Sequence, residues 1–184
     1  MKTSTPKETK HLDLTRPVAG RDHIQGPISA RITLLEYGDY ECPYCGEAYP
    51  VLKAIQEQLG NSLCFAFRNF PLINSHPHAE RAAETAEAAG ELGRFWEMHD
   101  MLYENQGALE DEDLANYAET IGLDARRLMT EIQSGRHLAR VREDFKNGMR
   151  AGVNGTPTLF INGERYDGPR EFDVLLAVLQ QQAG

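Results

Sequence analysis

The sequence predicts an α/β fold in which a mixed β-sheet is covered on both faces by helices and is interrupted by a block of further helices. Three observations predict it. A strand–helix–strand run occupies residues 28–70, a helix-forming stretch broken at four glycines follows as far as Arg150, and a β-hairpin with a closing helix comes after it. The 184 residues fit one domain carrying a sizeable insertion.

Residues 1–24 hold five basic and three acidic side chains and hardly an apolar one, so they are expected to form a flexible leader. They lack the apolar stretch of a secretory signal, which makes cytoplasm the default address. ISARITLLEY, Ile28 to Tyr37, has the length and β-branched content of a buried strand, and Gly38 and Asp39 end it. CPYCGEAYPVLKAIQEQLG then places Ala48, Val51, Leu52, Ile55 and Leu59 at helical spacing, with Pro43 suited to the first turn and Gly60 to the end. Pro50 lies inside that pattern and is expected to kink the helix without ending it. SLCFAFRNF, residues 62–70, reads as a second buried strand.

From Ala79 to Arg150, breaks near Gly93, Gly107, Gly122 and Gly135 leave room for three to five helices, and 16 acids against 9 bases charge the block strongly negative. TPTLFING and ERYDG restore the β pattern around Asn162-Gly163, the strongest short hairpin signal available. A helix from about Arg170 to Gln182 closes the order, with Phe172, Leu175, Leu176 and Leu179 on one face.

Composition removes several classes of function. A formal charge of −9 disfavours nucleic acid and anionic membranes as partners. The 41% apolar residues never form the run of 18 or more that a membrane span needs. Three cysteines, an odd number in a chain of this length, do not make a disulfide scaffold.

Two of them, Cys42 and Cys45, form C-x-x-C at the predicted helix start. A cysteine there faces unpaired amide groups and the positive end of the helix dipole, so the Cys42 thiolate, the reactive species, is favoured. Cys45 lies one turn on, within reach of a small disulfide, which gives Cys42 the attacking role and Cys45 the resolving one. Pro43 and Tyr44 supply no cation, leaving most of the tuning to the helix end, with the Tyr44 hydroxyl as a further donor. Half of a metal site or two idle thiols are the other readings of these four residues; zinc would want two more ligands, usually a second close pair. Cys64, alone in a buried strand, reads as packed and inert. His76 and His78 read as solvated loop or helix-start residues and His99 as a packing residue. His11, His23 and His137 lie in polar stretches and gain no role.

C-P-Y-C opening a helix after ITLLEYGDYE, with G-T-P-T about 110 residues later, resembles the thioredoxin superfamily and within it the DsbA-like branch. The resemblance covers residues 28–182. It implies a thioredoxin fold with an inserted α-helical domain, residues 25–70 and 152–184 forming the core and 71–151 the insertion. It also implies that Pro157 is a cis-proline lying across from the cysteines, that Pro50 is the kink of the first helix, and that Glu36 is a buried acid beneath Cys45. A cis Thr156–Pro157 bond would leave the Thr156 N–H and C=O to pair with an extended substrate. A buried Glu36 would have a raised pKa and could take the proton of the resolving thiol.

More narrowly, DHIQGPISARITLLEYGDYECPYC, FRNFPLINSHPHAERAAETAEAAG and FWEMHDML are similar to the thioredoxin-like domain fused behind some NhaA-type sodium/proton antiporters and to its free-standing relatives. No antiport activity is implied for residues without a membrane span.

The expected activity is therefore thiol–disulfide exchange through a mixed disulfide at Cys42, released by Cys45, with Glu36 as the proton acceptor. Pro43, Tyr44, Thr156 and Pro157 are the expected substrate contacts. No cofactor or metal is called for, and the partners are substrate proteins or small thiols and disulfides, with a second redox protein for recycling. A peptide-binding chaperone or adaptor, a glutathione-linked oxidoreductase and a metal-binding module are the alternatives.

Overall fold

A computed structural model describes residues 18–182. Residues 1–17, and with them most of the expected leader and His11, lie outside the described residues. Strands β1 (His23–Gln25), β2 (Ile32–Gly38), β3 (Leu63–Asn69), β4 (Thr158–Ile161) and β5 (Glu164–Tyr166) form one sheet in the order β1-β3-β2-β4-β5. Only β2 and β3 are parallel. A parallel pair needs a crossover, and helix α1 (Pro43–Leu59) supplies it.

Alternation along β2 divides the core. Ile32 and Leu34 face α1 and most of the inserted helices, whereas Leu35 and Tyr37 face the opposite side with Ala66, Phe70 and Phe160. Glu36 and Gly38, two and four residues after Leu34, share the α1 side by the same alternation. Gly38 matters there because a Cβ would sit 2.4 Å from the Phe67 ring and 2.6 Å from the Tyr103 hydroxyl. The sheet thus admits an aromatic cluster of Tyr40, Phe67, His99 and Tyr103 on the α1 side.

The insertion contains five helices, α2 (Ala79–Glu91), α3 (Phe95–Glu104), α4 (Asp111–Thr120), α5 (Ala125–Gln133) and α6 (Leu138–Arg150). Gly93, Gly107, Gly122 and Gly135 all fall in the breaks between these helices, as expected. Alanines 82, 83, 86 and 89 make α2 a thin, buried helix against which α3, α5 and α6 pack. Helix α6 returns across β3, and its Phe145 stacks on Phe70 at 4.3 Å on the far face of the sheet. Asn162 and Gly163, both left-handed at φ 50° and 90°, close the β4–β5 hairpin as expected. Asn162 also pins it to β2, its side chain accepting from the Thr33 amide at 2.8 Å. Helix α7 (Phe172–Gln181) buries Leu175 and Leu179 against α1.

One expectation is corrected. The segment assigned to a leader through residue 24 is ordered from Val18, and β1 begins inside it at His23. Asp22 receives both Nε and Nη2 of the buried Arg68 at 3.0 Å, and the Trp96 indole donates to the Ile24 carbonyl. These partners stand 46 and 72 residues away, so local propensity gives no sign of a strand.

Candidate functional site

Cys42 is the N-cap of α1, with Pro43 in the first turn, where a missing N–H costs nothing. Its extended backbone (φ −74°, ψ 120°) turns the sulfur toward the helix start. The thiol is brought down to about 5, first by the Cys45 thiol donating to it. Burial opposes this, and the Thr156 hydroxyl and the Cys45 and Tyr44 amides add to it. The helix start thus contributes through the Cys45 and Tyr44 amides, alongside the neighbouring sulfur. Tyr44 acts through its amide; its side chain is 60% exposed.

Cys42 and Cys45 are both free thiols and close enough to hydrogen-bond. Cys42 keeps 3% of its surface open and Cys45 none, so only Cys42 can meet a substrate. Burial and the neighbouring Cys42 push the Cys45 thiol well up, leaving it protonated beside an ionised partner.

Thr156–Pro157 is cis and adjoins the site, with the Cys42 Sγ donating to the Thr156 carbonyl at 3.4 Å. The Thr156 hydroxyl is buried and, with Cys42 protonated, has no partner at hydrogen-bond geometry among the described residues. Of the two Thr156 groups only the hydroxyl can donate to a charged sulfur, and it is the one that favours the Cys42 thiolate.

Glu36 lies on the α1 side of β2, 2% exposed, with one carboxyl oxygen unpartnered among the described residues. Burial raises it to about 8, the Cys42 charge adds to the rise, and Arg170 opposes it. It is also among the charges that push Cys45 up, so the two groups feel each other. A folded-state pKa above the unfolded value means that the stability Glu36 contributes is complete below about pH 4.5 and is lost as pH rises through about 8. Glu36→Gln is therefore expected to unfold later in urea than the native dithiol protein at pH 9, by on the order of 5 kcal/mol, with the difference gone at pH 4.

A family model described as Thioredoxin matches residues 19–181. The chain belongs to the thioredoxin family. Among curated relatives of this thioredoxin-family chain, the Na(+)/H(+) antiporter NhaA 1 of Salinispora arenicola is 43% identical over 169 residues, taking in 91% of this chain and 26% of the antiporter. NhaA 1 of Mycobacterium sp. (strain KMS) is 38% identical over 179 residues, 96% of this chain and 29% of its own. The chain thus spans less than a third of the length of these relatives.

The fold is that of DsbA-like proteins. Oxidised BdbD from Bacillus subtilis superposes with a TM-score of 0.80 at 20% identity, covering 88% of this chain and 92% of that one. The catalytic domain of Proteus mirabilis ScsC does so at 0.75 and 19%, covering 88% and 89%. No described helix is long and apolar enough to cross a membrane.

Several thioredoxin-fold site residues had no signal in the sequence. The Gln106 side chain, just beyond α3, donates to the carbonyls of both Tyr40 and Cys42 at 2.9 Å. It fits because residue 46 is glycine; a Cβ there would lie 2.0 Å from its Oε1. Gln106→Ala should lower stability by about 1–2 kcal/mol in urea titration, the worth of two hydrogen bonds, and loosen the Cys42 loop. Buried Asp39 accepts from the amides of Glu41 and Leu72 and holds His76 Nδ1 at 2.8 Å. Glu41 likewise holds the amide and ring of His78. The histidines expected as solvated are thus ion-paired clasps, and their carboxylates raise both rings.

His99 packs as expected, buried and lowered to about 3, its Nδ1 meeting the Tyr40 hydroxyl at 3.1 Å. Cys64 is fully buried. Among the described residues the group of three possible metal ligands is Glu91, Glu131 and His137, remote in sequence from Cys42 and Cys45 and already bridged by Arg136.

Proposed function

We propose that this thioredoxin-family chain is a thiol–disulfide oxidoreductase. The observation that carries the proposal is the pairing of a slightly open cysteine at a helix N-cap with a fully buried one a turn away, in surroundings that favour the thiolate of the first and the thiol of the second. The Cys42 thiolate attacks a substrate disulfide, forming one S–S bond while the second substrate sulfur leaves as a thiolate. Cys45 then gives up its proton and attacks the Cys42 sulfur; the enzyme disulfide forms and the first substrate sulfur departs.

Glu36 is the proposed proton acceptor. In the mixed disulfide the Cys42 charge is gone, and with it the repulsion that adds to the raised Glu36 pKa. The carboxylate becomes easier to form at the step when Cys45 needs a base. Thr156 and Pro157, with Pro43 and Tyr44 on the other side, are proposed to hold the substrate backbone, the Thr156 carbonyl being freed when Cys42 loses its proton.

Substrate proteins or small disulfides, and a redox partner for recycling, belong to the proposal, as does the cytoplasmic address. So does direction: a stabilised Cys42 thiolate favours the dithiol and tilts the couple toward giving its disulfide away. Dithiothreitol-driven insulin reduction tests the activity, and equilibration of the cysteine pair in glutathione buffers tests the direction. Insulin left soluble at the background rate, or a pair that never forms a disulfide in any buffer, ends the proposal.

A further inference from the structure

We infer that Arg170 makes a carboxylate subsite beside Cys42, selecting substrates that carry an acidic group next to the reacting sulfur. The inference rests on the oxidoreductase reading and adds a substrate class to it. Two clefts meet at the β5–α7 loop. One, of about 270 Å³, contains Thr156 and Pro157; the other, of about 440 Å³, contains Tyr44; Gly168 and Arg170 line both. The smaller holds Thr156, whose carbonyl meets the Cys42 sulfur at 3.4 Å, and the larger holds Tyr44, two residues beyond Cys42 in the first turn of α1. Cys42 itself lines neither cleft, but a substrate chain laid along Thr156 or Tyr44 on leaving its sulfur would run past Arg170.

Charge points to an anion. In the smaller cleft Arg165 is already committed, to Asp167 at 2.8 Å and to the Gly152 carbonyl at 2.6 Å. Arg170 has no hydrogen bond or ion pair among the described residues, so that cleft keeps one uncompensated positive charge in a chain of net charge −9. The larger cleft contributes Glu47 and Glu171, neither paired with Arg170, and these repel a carboxylate toward the Thr156 side. Arg170 also pulls the buried Glu36 carboxyl down, which places its charge within electrostatic reach of the reacting centre. A guanidinium is suited to such an anion because its planar fork matches a carboxylate in two-point contact.

The test compares kcat/KM for disulfide peptides that differ only in Glu or Gln beside the cysteine. A second arm compares oxidised glutathione with its carboxyl-esterified form. The acidic member of at least one pair should be preferred about fivefold at low salt, chiefly through KM, with the preference fading at high salt. Arg170→Gln should bring the ratio to about one and Arg170→Glu should invert it. A ratio seen only with the peptides identifies protein side chains as the source of the carboxylate, and one seen only with glutathione identifies a small thiol. Equal ratios in native and Arg170→Gln protein in both arms overturn the subsite while leaving the oxidoreductase reading intact. Failure to turn over any disulfide, neutral ones included, removes both. Because Arg170 is exposed, an unchanged thermal melt separates these effects from misfolding.

Discussion

Cys42→Ser is expected to reduce the turnover of protein disulfides by on the order of a thousandfold or more, with the fold unchanged. An oxygen at this position stays protonated at neutral pH and cannot form the mixed disulfide, whereas the native sulfur, at about 5, is almost wholly ionised. That low value does not mainly speed attack. Relative to a free thiol near 8.5, the ionised fraction at pH 7 rises about thirtyfold, but nucleophilicity falls with basicity by a comparable factor. The gain lies in the reverse, oxidising direction, where a substrate thiolate attacks the substrate sulfur of the mixed disulfide and Cys42 departs as a stable thiolate. Alkylation of the native dithiol by iodoacetamide should therefore show a midpoint near pH 5. A midpoint near 8.5 would remove the physical basis for assigning the nucleophile.

The same shift has a stability consequence of opposite sign to that of Glu36. A depressed folded-state value contributes stability that is present above the unfolded value and is lost as pH falls through about 5. The dithiol form should thus lose ground to the disulfide form on acidification, a comparison that two urea titrations at pH 8 and pH 4 supply.

The fold was legible where one signal sufficed locally. β2, α1 and β3 follow from apolar runs, a proline and a glycine, and the hairpin from two residues with left-handed backbone. β1 was not, because His23–Gln25 becomes a strand only through its ladder to β3 and the ion pair between Asp22 and Arg68. The same limit applies to the site. Cys42 and Cys45 announce themselves as a motif, and Thr156, Pro157 and Glu36 follow from resemblance. Gln106, Asp39 and the two histidine clasps are ordinary polar residues made specific by loops that meet only in three dimensions. Gly46 carried a faint signal, a glycine in the first turns of a helix, where it weakens the helix unless something approaches closely. What approaches is Gln106, from 60 residues away in the insertion.

Cys45→Ala and Cys45→Ser should both accumulate covalent adducts with a protein substrate, visible on non-reducing gels, because neither can release the mixed disulfide. They should differ in the acidity of Cys42. The Cys45 thiol is the largest single stabiliser of the Cys42 thiolate, ahead of Thr156 and the helix-start amides. Serine keeps a donor of similar reach in a fully buried position; alanine removes it and leaves the amides and the Thr156 hydroxyl to act against burial. The alkylation midpoint should stay near 5 in Cys45→Ser and move toward 8.5 in Cys45→Ala. Coincident midpoints near 5 in both variants would transfer the tuning to the helix N-terminus, whose amides neither substitution touches. Midpoints raised equally in both would mean that a hydroxyl cannot replace the thiol as donor, and that the geometry of the two sulfurs, rather than donation as such, sets the charge.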